Sequence, residues 1–166
     1  MVPLDGSALA EAALPAALDM LGSAGGLVLV CVVAPPDHVE RDESGRVLAY
    51  LDQQEDDSKC DAHAYLRGIA HQVQDSQPDL HVACDVRIGE PAAGIVMATT
   101  DGGGDVVVMA THGRTGVRRS AMGSVAGAVV RTGSVPVLLV RASTLLPARV
   151  GSANHPVGRG APVATR

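Results

Sequence analysis

Asp105 to Arg141 reads DVVVMATHGRTGVRRSAMGSVAGAVVRTGSVPVLLVR, and this stretch decides the fold class. Val106 to Ala110 is an unbroken apolar run, the pattern of a parallel strand covered on both faces. Gly113 and Gly116 follow, where absence of a Cβ lets a loop take positive φ and approach a ligand closely. Gly123-Ser124 then opens a short helix, whose free N–H groups and dipole favour an anion. A second apolar run, Val137-Leu138-Leu139-Val140, closes the unit. The assembly suits phosphate, held by backbone N–H groups from Gly113 onward and at Gly123 to Val125, with the Ser124 hydroxyl as a further donor. Glycines also punctuate ordinary tight connections, and that reading stands beside the first.

Working outward, Val2 to Leu4 reads as the end of a first strand, and Asp5-Gly6-Ser7 turns into a helix with Ser7 as its N-cap. Leu9, Ala13, Ala16, Ala17, Met20 and Leu21 keep one helical face, interrupted at Pro15, where a kink is expected. After Gly22 to Gly26, Leu27 to Val33 is a second strand. Pro35 to about Arg46 is polar and turn-rich, an excursion above the sheet. A helix is predicted from about Leu51 to Val73, and its acidic start at Glu55, Asp56 and Asp57 suits the helix dipole. Val82 to Ile88 forms a further strand, and Gly89-Glu90-Pro91 opens a helix that ends by Asp101-Gly102-Gly103-Gly104. The resulting β-α-β-α-β-α-β-α-β order predicts a Rossmann-like α/β domain, a mainly parallel sheet with helices on both faces. Met1 falls almost at the end of the first strand, so either the natural start lies upstream or that central strand is short.

THGRTGVRRSAMGSVA closely resembles the phosphate-binding signature of the universal stress proteins, Gly-x2-Gly-x9-Gly-Ser/Thr. Gly113 fills the second glycine, nine residues separate it from Gly123-Ser124, and Ala110 stands in the first glycine's place. An alanine there is tolerable at negative φ and costs roughly 1 kcal/mol or more at positive φ. The resemblance covers about residues 1–141 and implies a single open five-stranded sheet of order 3-2-1-4-5, with its switch point between strands 1 and 4. Ligands of open α/β sheets bind beyond the strand carboxyl ends at such a point. It also implies ATP as ligand, with or without Mg²⁺, and a stress-response role. The implied contacts are Pro3 and Asp5 of Pro3-Leu4-Asp5 beside the adenine, Val32 offering backbone contacts, Met109, Ala110, His112, Gly113, Gly123, Ser124 and Val125. On its own residues, Asp5 is equally a helix-capping carboxylate and Val32 ordinary core. Family resemblance further implies a homodimer, with Val137, Leu138, Leu139 and Val140 of two last strands pairing antiparallel.

Composition narrows the alternatives. The chain has 166 residues and a formal charge of -5, so no nucleic-acid partner is expected. There is no Trp or Phe, and Tyr50 and Tyr65 are the only aromatics, so base stacking on an aromatic platform is nearly excluded. Cys31, Cys60 and Cys84 are scattered and odd in number, which fits a reducing cytoplasm, and no apolar run reaches membrane-spanning length. Residues 142–166, rich in Pro, Gly, Ala and Arg, read as a flexible tail.

Catalytic and metal chemistry find little support. The loop is not a Walker A motif or a dinucleotide G-x-G-x-x-G, and GSVAG places its serine one position early for a nucleophile elbow. His112 has no partnering nucleophile, and Arg114, Arg118 and Arg119 are phosphate partners or a solvated face. His63 and His71 stand eight apart without supporting ligands, so no metal site is expected. Slow ATP hydrolysis is the most activity expected. Two rivals stand: a nucleotide-free dimeric interaction protein of the same fold, and an adenylyl-transferring enzyme, which would need a signature such as HxGH that is missing here.

Overall fold

Residues 1–21, 25–36, 40–41, 47–49, 51–111 and 123–141 are described by a computed structural model. In chain order the elements are β1 (Val2–Pro3), α1 (Ala8–Glu11), α2 (Leu14–Leu21), β2 (Gly26–Val33), β3 (Glu40–Arg41), β4 (Val47–Ala49), α3 (Leu51–Ser76), β5 (His81–Ile88), α4 (Pro91–Asp101), β6 (Val107–Thr111), α5 (Ser124–Thr132) and β7 (Val137–Arg141). The fold is α/β, with parallel strands and crossover helices as the element order predicts.

The single five-stranded sheet does not form as one ladder. β1, β2 and β5 make a three-stranded parallel sheet, β6 and β7 a two-stranded one. The reason is the length of β1, two residues, which leaves too little backbone for a ladder to β6. Met1 joins the two sheets: its amino group donates to the Val106 carbonyl at 2.9 Å, and its carbonyl accepts from Val108 N–H at 2.9 Å. Burial lowers the pKa of that amino group, with Asp105 acting the other way.

Strand alternation divides the core between two faces. Leu27, Leu29, Cys31 and Val108 pack with Leu66, Ile69 and Val73 of α3 and Ala17 of α2. Val107 and Met109 pack on the opposite side with Ile95 of α4 and Val129 of α5, and Val30 joins Ala98 of α4 there. Leu27, Leu29, Val30, Val107 and Val108 are at most 1% exposed, and each such side chain contributes about 1.5–3 kcal/mol by burial.

Local chemistry sets the ends. Ser7 caps α1 as expected, its hydroxyl accepting from Ala10 N–H. The kink at Pro15 becomes a full break between α1 and α2, because the proline cannot donate and sits in the first turn of the new helix. Glu90 caps α4 through Ala93 N–H at 2.7 Å, with Pro91 beginning the helix. The polar excursion after β2 contains an unexpected antiparallel hairpin, Glu40 opposite Ala49 and Arg41 opposite Val47, with a shift of register between them. His112, Gly113, the three loop arginines and the tail lie outside the described residues.

Candidate functional site

A cavity of about 310 Å³ opens beyond the carboxyl ends of β1, β2 and β6. Pro3, Leu4 and Asp5 supply one side, Val30 and Val32 the floor, and Met109, Ala110 and Thr111 the side across the junction of the two sheets. Gly123, Ser124, Val125 and Ala126 bring the start of α5 to the rim. Thus Pro3, Asp5, Val32, Met109, Ala110, Gly123, Ser124 and Val125 meet in one place, while His112 and Gly113 lie outside the described residues.

Among the described residues, nothing covers the α5 start. Gly123 is its N-cap, and among the described residues no side chain caps the first turn. The first N–H groups of a helix have no partner within the helix itself. Among the described residues, a Cβ built at Gly123 would meet nothing within 4 Å, so their arrangement leaves this backbone approachable. Ala110 lies in the β6 ladder opposite Val140, in extended backbone, so the positive-φ penalty of replacing a glycine does not arise.

Asp5 does what its bland reading requires. Its Oδ1 accepts from the Ser7 N–H at 3.0 Å and from the Ser7 hydroxyl at 2.6 Å, fixing the turn into α1. It also lines the cavity, as its only ionisable side chain among the described lining residues. Its charge reaches inward: burial first, and Asp5 second, raise the pKa of the Cys31 thiol. Cys31 is buried, as its place in an apolar strand implies. Behind α1, the Tyr65 hydroxyl donates to Glu11 Oε1 at 2.9 Å, and burial followed by this bond raises the phenol's pKa.

Sequence reasoning missed a wall of the cavity. Pro91 and Ile95 of α4 line it, as do Leu9 and Ala10 of α1. Thr111 could have been found by following strand β6 one residue further toward its carboxyl end. The α4 wall carries no such signal, since it depends on how closely that helix approaches β2. His63 and His71 are both exposed on α3, and no group of three His, Cys, Asp or Glu among the described residues could hold a metal ion.

The cavity lies at the carboxyl ends of parallel strands beside a glycine-opened helix start, the place where open α/β sheets take their ligands. The model of the universal stress protein family matches residues 1–141, and the chain belongs to that family. Among solved structures it is similar to a universal stress protein family member from Burkholderia pseudomallei, at 26% identity and TM-score 0.58, covering 84% of this chain and 92% of that one. It is also similar to the universal stress protein UspA from Lactobacillus plantarum, at 22% identity and TM-score 0.60, covering 84% and 94%. A third, a universal stress protein in complex with cAMP, shares 21% identity at TM-score 0.60, covering 84% and 93%. No curated protein matches the chain.

Proposed function

We propose that this protein binds ATP as a regulatory ligand and works as a cytoplasmic stress-response module. The observation that supports this best is the α5 start, uncapped among the described residues, facing an apolar cavity with the Asp5 carboxylate at its far side. In this reading the phosphates lie over Gly123 and Ser124, with His112 and Gly113 completing the loop, and the helix N-terminus offsets their charge. Adenine lies in the apolar part near Pro3, Val32 and Met109. Asp5 accepts from its exocyclic amino group. Any Mg²⁺ arrives with the triphosphate, because Asp5 is the sole carboxylate among the described lining residues. In this reading the site holds its ligand and hydrolyses it slowly at most, the Asp5 carboxylate and the Ser7 hydroxyl being engaged with each other in the turn into α1. The solved relative in complex with cAMP fits this ligand class, though its likeness to this chain extends to the fold.

The second reading, a nucleotide-free dimer, draws on the short β1, which leaves Met1 to tie the cavity's two sides together. Both readings include a homodimer through Val137 to Val140. Analysis of the supernatant after denaturing freshly purified protein separates them. ATP released near one molecule per chain is the expected result. No nucleotide released, and none taken up at millimolar ATP, would leave the second reading.

A further inference from the structure

The cavity's α4 wall rests on an unusual contact. Gly94 is buried in the interior of α4, where glycine is less favourable than alanine by about 0.8–1.0 kcal/mol. A Cβ built there would lie 2.8 Å from both Cγ1 and Cγ2 of Val32, and 3.4 Å from its Cβ. Rotating Val32 gives no relief. Its two methyls and one hydrogen share three staggered positions, so at least one methyl faces α4 in every rotamer. Val32 lines the cavity floor, and Pro91 and Ile95, within one turn of Gly94, line its wall.

We infer that Gly94 is a positioning residue for the base end of the site. By seating α4 directly on Val32, it sets the distance between that floor and the wall made by Pro91 and Ile95. A side chain at position 94 pushes α4 outward and widens the slot that grips the base, while the α5 start keeps its geometry. The inference rests on the nucleotide reading above.

Calorimetry with two probes tests it: ATP, which uses both ends, and inorganic triphosphate, which uses only the phosphate end. Gly94→Ala is expected to weaken ATP about tenfold and to leave triphosphate within about threefold of wild type. Val32→Ala clears the methyls, so Gly94→Ala/Val32→Ala should bind ATP as Val32→Ala does. That second pair decides the matter even if the single variant fails to fold. Equal ATP binding by Gly94→Ala and wild type overturns the inference. So does a parallel loss of both probes, or a double variant that still carries the full penalty of the Gly94→Ala change. A wild type that binds neither probe removes the nucleotide reading itself, and this inference with it.

Discussion

The two outer strands of this molecule have the same backbone problem and opposite side chains. β5 carries Asp85 and Arg87 on its α4 side, where Arg87 donates to Asp85 Oδ2 at 2.9 Å and to Asp101 Oδ2 at 2.6 Å. β7 has no charge from Val137 to Val140, and Leu138 is 38% exposed. Charges on an edge discourage strand addition, whereas an apolar edge invites it. The contrast bears on the proposed dimer: the apolar β7 edge suits cover by a second copy, and the charged β5 edge does not.

The largest expected effect is at β7. Leu138→Lys should abolish dimerisation at micromolar concentration, shifting the sedimenting mass from twice 16.9 kDa to 16.9 kDa. Leu138 is a better probe than Leu139, which packs into the α4/α5 core cluster, so that Leu139→Lys would damage the fold as well. A wild type already at 16.9 kDa would end the argument for β7. Next comes Asp85→Val/Arg87→Val, which makes the other edge apolar as well. Light scattering should then show growth beyond the dimer, and an unchanged dimer would mean that these charges do not guard β5.

Tyr65→Phe is the interior control, away from both edges. Loss of the Glu11 bond should cost about 1 kcal/mol without changing the sedimenting mass. Its pH dependence has a definite sign. The phenol's folded pKa lies above its ordinary 10.0, so its contribution is intact below pH 10 and is lost as pH rises through the folded value. Tyr65→Phe should lack that alkaline decline in urea melts. Arg87→Ala is expected to do least, about 0.5 kcal/mol, because Asp101 is 59% exposed and the pair is well screened.

The strands that could be read from the sequence are those whose side chains carry the signal by themselves. The apolar runs at Leu27–Val33, Val106–Ala110 and Val137–Val140 became β2, β6 and β7 within a residue, and Gly89-Glu90-Pro91 opened α4 as its capping chemistry requires. What escaped depends on single distant contacts. The β3–β4 hairpin alternates too briefly to show a period. The join between the sheets hangs on the two hydrogen bonds of Met1, and the α4 wall on one missing methyl at Gly94. The cavity's β1, β6 and α5 contributors were found because a signature marks them. Its α4 contributors were not, because close helix–strand approach leaves no local pattern.

The most direct test of the account is ATP calorimetry on wild type and Gly123→Val. A Cβ at Gly123 meets none of the described residues, and its φ of -54° suits any residue, so the variant should fold and melt like wild type. The account predicts that wild type binds ATP and that the variant binds at least about tenfold more weakly, roughly 1.4 kcal/mol, because valine occupies the phosphate's approach. No heat of binding in wild type at millimolar ATP, or equal affinity in both proteins, would contradict it.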